Sequence, residues 1–252
     1  MKPVIVLISC RNRPLYLWAC LDSLFRHTTY PRKFILIDMH SDDPLVQDVI
    51  TGFRRRGMFD EVIFADRNDP GLLARLVMSR LAEWAPYFAY VEADTTIEKG
   101  ETCWLQEMVR LMDAHPKLAM LGSTIDRGDF VDPANLGTLA EGRSQEEIDM
   151  LLKAQSPERR QDLNDASGTE LYRPHSPAGR HLMLRTEALQ EVGLAADSTL
   201  DALLRKVGFE TAIATRVKHR HLSLLHIFDY PNYDYHTRNR YMTSVPPKSE
   251  LT

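Results

Sequence analysis

The chain has 252 residues and a formal net charge of −4, long enough to bury a large core and too acidic overall for a broad polyanion-binding surface. That argues against nucleic acid as a bulk partner while leaving room for local basic clusters that hold one diphosphate. Cys10, Cys20 and Cys103 are an odd number without metal-ligand spacing, so neither a disulfide framework nor a zinc site is implied, and a reducing compartment fits. The amino terminus reads straight into an expected strand, so no cleaved leader is expected, and no apolar run approaches the ~20 residues that cross a bilayer. The expectation is a soluble cytoplasmic protein.

In chain order, short β-branched runs alternate with longer amphipathic ones. Strands are expected at 3–9, 34–38, 61–65, 87–92 and 118–122, and helices at 14–27, 44–57, 70–83 and 102–115. The first three helices open on a proline, whose missing N–H costs nothing in a first turn. This rhythm predicts an α/β fold with a mostly parallel central sheet flanked by helices on both faces. In such sheets ligands bind beyond the carboxyl ends of the strands, where Ser9, Asp38, Asp66, Glu92 and Asp94 all fall. From 124 to 178 the rhythm breaks into a polar insertion with one expected helix at 145–154. A strand at 180–184, helices at 186–192 and 199–207 ended by Gly193 and Gly208, and a last strand at 211–217 follow. A tail rich in Tyr, Pro and Arg runs from 226 to 252.

The apolar run Phe88-Ala89-Tyr90-Val91 ends in two carboxylates one residue apart. Alternate strand residues share a face, so Glu92 and Asp94 can point the same way, and their charges repel unless something positive lies between them. A hard cation such as Mn²⁺ or Mg²⁺ takes oxygen ligands and arrives with substrate phosphates. A solvated strand end accounts for the same pair.

Several segments, in order, resemble family 2 glycosyltransferases of the GT-A fold. Val4-Ile5-Val6-Leu7-Ile8-Ser9-Cys10-Arg11-Asn12-Arg13-Pro14 is similar to the family's first strand and turn. Ile35-Leu36-Ile37-Asp38 with Ser41-Asp42-Asp43 resembles its second strand, whose terminal Asp contacts the base. Glu92-Ala93-Asp94 stands where the family carries its DxD metal motif. Ala178-Gly179, with Leu184 through Gly193, resembles the acceptor-side segment. Tyr235-His236-Thr237-Arg238-Asn239-Arg240-Tyr241 resembles the tail of some bacterial polysaccharide transferases. The chain departs from the family in the Glu that opens the motif and in Arg11, whose planar guanidinium replaces an aromatic beside the base. It departs again at Arg75-Leu76-Val77, where an Arg-Asn pair is common, and at Ala196, where Glu is common.

The resemblance implies metal-dependent transfer of a sugar from a nucleotide diphosphate sugar, UDP-sugar favoured, to a hydroxyl of a glycan or other acceptor. It implies inversion by single displacement, and a role in polysaccharide biosynthesis. Mn²⁺ or Mg²⁺ would be held by Asp94 directly, by Glu92 through water unless Glu92 contacts the ribose, and by His219 or His221 in a loop after the last strand. His219 fits the family's terminal histidine better; a solvated basic patch explains the same loop. Asp197 is the candidate base and equally a helix cap, with Asp201 in reserve although an acid in mid-helix reads as an exposed surface group. Ser9, Arg11, Asp38 and Arg67 line the nucleotide crevice; Asp38 also reads as a cap of its loop. Gly179 lies on the acceptor side. Arg238 and Arg240 form a lid over the diphosphate or an exposed terminal helix. Trp18, Trp84 and Trp104 read as core. The domain expectation is one unit at 1–225, divided into a nucleotide half at 1–123, the insertion and an acceptor half at 179–225. Two rivals stay open. One is nucleotidyl transfer, which needs a Gly-rich basic loop where this chain has Ser9-Cys10-Arg11-Asn12-Arg13-Pro14. The other is a catalytically silent nucleotide- or glycan-binding module of the same fold.

Overall fold

The computed structural model describes residues 2–125, 168–173 and 180–222. Gly179, Arg238, Arg240 and the expected helix at 145–154 lie outside the described residues.

Seven elements repeat the βα unit: β1 (Val4–Cys10), α1 (Pro14–His27), β2 (Arg32–Asp38), α2 (Pro44–Arg55), β3 (Glu61–Phe64), α3 (Pro70–Trp84) and β4 (Tyr87–Glu92). After them come β5 (Thr95–Ile97), α4 (Trp104–Ala114), β6 (Leu118–Ile125), β7 (Leu171–Tyr172), β8 (His181–Arg185), α5 (Thr186–Val192), α6 (Asp197–Lys206) and β9 (Glu210–His221). The strands form one sheet in the order β3-β2-β1-β4-β8-β6-β9-β5, with β7 also paired to β9. β1 to β4 are parallel, and β6 and β9 run the same way, while β8 lies antiparallel between β4 and β6.

The continuous apolar run of β1 is explained by burial on both faces. Val6, Ile8 and Cys10 pack with Leu17, Leu21 and Met108 on one face, and Ile5 and Leu7 pack with Val77, Leu81 and Leu204 on the other. Leu7 is fully buried, so truncating it to Ala would cost about 2–5 kcal/mol. The expectation for Trp18 is corrected. Trp84 and Trp104 are buried, but Trp18 is 47% exposed because α1 packs through Leu17, Cys20, Leu21 and Leu24.

The second half of the sheet sets the site. Because β8 is antiparallel, its amino end meets the carboxyl end of β4, where Val91 pairs with His181 and Glu92 N–H donates to Arg180 C=O at 3.0 Å. The last strand is longer than expected and includes both histidines, which corrects their placement in a loop. The alternation of exposed and buried residues from Arg216 to His221 is a period-2 pattern that marks strand. A bulge shifts the β6–β9 register, from Ser123 opposite Ala214 to Thr124 opposite Lys218. Beyond it, β9 pairs with β5, so that Thr95 lies opposite His221. No helix among the described residues is long and apolar enough to cross a membrane.

Candidate functional site

The turn after β1 is built on two consecutive left-handed residues, Asn12 (φ 51°) and Arg13 (φ 56°). Asparagine visits this region more readily than most residues because its short polar side chain bonds locally. Here Asn12 is buried, its N–H donates to Ser41 Oγ at 2.7 Å, and its Oδ1 accepts the N–H groups of Asp42 at 2.9 Å and Asp43 at 3.3 Å. The β1–α1 and β2–α2 loops are thereby tied together. Asp38, 2% exposed, accepts from Ser41 N–H at 3.2 Å and Gln47 Nε2 at 3.3 Å, so it organises the second loop. Burial pushes its pKa up, against the opposing pull of Ser41 and Cys10. Ser9 lies near the end of β1: its carbonyl accepts Ala93 N–H at 3.0 Å and its side chain lies beside the Tyr90 hydroxyl. Arg11 is half-buried in the turn, whereas Arg67 is exposed and pairs with Asp69 at 3.5 Å.

Arg13 turns back onto the acidic motif. Its Nη1 lies 3.0 Å from Asp94 Oδ2, its guanidinium is 5.2 Å from the centroid of the Tyr16 ring, and His221 Nε2 lies 3.2 Å from the same Asp94 oxygen. Burial raises the Asp94 pKa, but the hydrogen bond and charge of His221, then Arg13 and Arg180, outweigh it and hold the carboxyl well below the usual range. Glu92 is paired with Arg180 at 2.6 Å. Burial shifts its pKa upward, with Asp94 adding to the shift and Arg180 opposing it.

His221, rather than His219, is thus the histidine brought to Asp94. His219 faces inward to Ser123, whose Oγ is 2.7 Å from His219 Nδ1 and 2.7 Å from His181 Nδ1. One hydroxyl proton serves at most one of these nitrogens, so the other imidazole donates its own Nδ1–H to the oxygen. Burial lowers the pKa of His181 to about 3 and that of His219 well below its ordinary value.

Glu92, Arg180 and Asp197 line one cavity of about 500 Å³ together with Pro70, Gly71 and Tyr90. Asp197 is exposed at the first position of α6, after Ala196 at the cap, and accepts Ser198 N–H at 2.8 Å. The exposed placement expected for Asp201 is corrected: it is 4% exposed and bonded to Arg205 at 2.9 Å and to Thr211, joining α6 to β9.

Among the described residues, no three His, Cys, Asp or Glu side chains are already gathered as a metal cluster. Asp94 and His221 do converge, a carboxylate and an imidazole of the kind that suit Mn²⁺, and Mg²⁺ habitually completes its shell with water and substrate phosphates. The donor chemistry therefore fits a divalent cation. Sequence reasoning did not assign roles to Arg13, Arg180 or Ser123. Arg13 stood in the quoted turn and Arg180 next to Gly179, but nothing local connects either to the acids.

The family profile described as Glycosyl transferase family 2 matches residues 5–173. No match was found among curated protein sequences. The fold is similar to GalNAc-T7 solved with UDP, GalNAc and Mn²⁺, with a TM-score of 0.61 and 14% identity over 88% of this chain and 44% of that one. It is also similar to the mannosyltransferase PcManGT from Pyrobaculum calidifontis in complex with GDP-Man and Mn²⁺, with a TM-score of 0.53 and 13% identity over 85% of this chain and 57% of that one. A third similar structure is glucosyl-3-phosphoglycerate synthase from Mycobacterium tuberculosis in complex with Mn²⁺, UDP and glucosyl-3-phosphoglycerate. It has a TM-score of 0.51 and 12% identity over 87% of this chain and 72% of that one. The chain spans about half the length of the first two.

Proposed function

The chain belongs to glycosyl transferase family 2 and is a glycosyltransferase of the GT-A fold, and from this we propose that it transfers a sugar from a nucleotide diphosphate sugar to an acceptor hydroxyl with inversion. UDP-sugars are the favoured donors. The observation that carries the reading is the buried Asp94 just beyond β4, bonded to His221 and two residues from Glu92, which lines a cavity with Asp197.

In this reading residues 1–123 supply the nucleotide side, with Asp38, Ser9 and Arg11 around the base and Asn12 holding the two loops in register. Asp94 and His221 would hold Mn²⁺ or Mg²⁺, which when bound offsets the negative charge developing on the leaving diphosphate. Glu92, paired with Arg180 and lining the cavity, would contact the ribose or hold the cation through water. Single displacement needs a base on the face opposite the leaving group. Asp197 is the carboxylate in the cavity with exposure suited to taking the acceptor proton.

The test is a panel of UDP- and GDP-sugars with Mn²⁺, reading release of free nucleotide with and without candidate glycan acceptors. Metal-dependent release, lost in Asp94→Ala, is expected. A folded protein that releases no nucleotide from any donor and is not stabilised thermally by any nucleotide would overturn the reading.

A further inference from the structure

We propose that Arg13 is a built-in counter-cation for Asp94: it pairs with the carboxylate until a nucleoside diphosphate draws it onto the phosphates, so that divalent cation and nucleotide bind as a coupled pair. The inference rests on the reading of Asp94 and His221 as cation ligands and goes beyond it.

Four observations converge on Arg13. Its Nη1 sits 3.0 Å from Asp94 Oδ2, the oxygen that also meets His221, so a cation approaching that oxygen meets a guanidinium already in place. Its side chain is only 11% exposed, against 43% for Arg180 in the neighbouring pair, so solvent screens the Arg13 charge far less. The left-handed backbone at Arg13, with Asn12 locked to the facing loop, directs the side chain toward the acids, and the Tyr16 ring lies against the guanidinium. Finally, Arg13 Nε is buried without a hydrogen-bond partner among the described residues. A guanidinium has five donors in a rigid plane, and planar recognition of phosphate oxygens is what that geometry suits. One donor is satisfied by Asp94; a buried Nε–H left over is a donor awaiting an acceptor.

The electrostatics give the coupling its direction. With Arg13 on Asp94 the pair is neutral, and a divalent cation added alone faces a like charge at close range. A diphosphate supplies negative charge to the cation and to Arg13 together, releasing Asp94 for metal ligation. Each ligand therefore removes an obstacle to the other, and by linkage the enhancement is the same in both directions.

The experiment measures Mn²⁺ binding to the full chain by electron paramagnetic resonance, without nucleotide and with UDP or GDP, after subtracting the Mn²⁺–nucleotide complex formed in free solution. Wild type is expected to bind Mn²⁺ weakly alone and at least tenfold more tightly with the nucleotide it accepts. Arg13→Met is expected to bind Mn²⁺ alone at least tenfold more tightly than wild type and to lose most of the nucleotide enhancement, while Arg13→Lys keeps the wild-type pattern. Equal Mn²⁺ affinity in folded wild type and Arg13→Met overturns the proposal. Should Arg13→Met fail to fold, the wild type alone decides: UDP and GDP affinities unchanged by Mn²⁺ also overturn it. If wild type binds nucleotide but no Mn²⁺ under any condition, the cation-site reading itself has failed, and this proposal with it.

Discussion

Two buried clusters share β9 and differ by two residues in position. His219 meets Ser123, which also meets His181, while His221 and Arg13 both meet Asp94. Each contains a buried imidazole, yet their electrostatics are opposite. Around Ser123 no opposite charge is in contact among the described residues, so burial keeps His181 neutral. Around Asp94 a guanidinium and an imidazole keep a buried carboxylate ionised against its own desolvation. Burial alone therefore does not decide the charge of a group. The first cluster is suited to holding β9 in register beyond its bulge; the second is suited to binding ligand charge.

The sharpest way to break this contrast is Asp94→Asn, which keeps the shape and removes the charge. Transfer is expected to fall by about 10³-fold or more at saturating Mn²⁺, on the scale of losing a principal electrostatic stabiliser. Turnover near wild type would mean the charged cluster has no part in the chemistry. Asp197→Asn, in the adjacent cavity and outside both clusters, is expected to lower kcat about 10²–10⁴-fold with nucleotide affinity retained. Unchanged kcat would leave Asp197 as the first residue of a helix and no more.

Ser123→Ala tests the neutral cluster. It strands a buried imidazole nitrogen and is expected to cost about 1–3 kcal/mol in urea unfolding. A loss confined to nucleotide affinity, with stability unchanged, would contradict a structural role.

The last contrast is the pH dependence. In the unfolded chain His181 takes up a proton below about 6.5, whereas in the fold its pKa is about 3. Its contribution to stability is therefore complete above pH 6.5 and is lost as pH falls toward 3, by up to ~1.4 kcal/mol per pH unit. Asp94, also depressed but from 3.8, contributes its loss only at lower pH. Comparing wild type with His181→Gln between pH 6.5 and 5 removes the opposing contributions of Glu92 and Asp38, whose pKa values are raised. The variant is expected to show the shallower slope. Identical slopes would mean that His181 is not buried neutral.

Much of the stretch from 1 to 123 was legible because its signals are local. The expected helix over 14–27 coincides with α1, and the prolines at 14, 44 and 70 each open a helix. Glu92 and Asp94 fall where the strand pattern put them, at the end of β4 and just beyond it. Less of the second half could be read. β5 and β7 are three and two residues long, too short to carry a period. The spacing of His219 and His221 could not say which would reach Asp94.

Local periodicity, proline placement and the acid spacing are written in neighbouring residues, so the chain by itself determined the α/β class, the helices and the position of the acidic motif along the strand. Partner choice was decided only by tertiary structure. Asp94 and His221 lie 127 residues apart, and they meet because β6 and β9 slip register after Ser123. A one-residue change of register turns every side chain of a strand to the other face. Likewise, Arg180 reaches Glu92 only because β8 runs antiparallel to β4, a direction that no local pattern in residues 180–185 records.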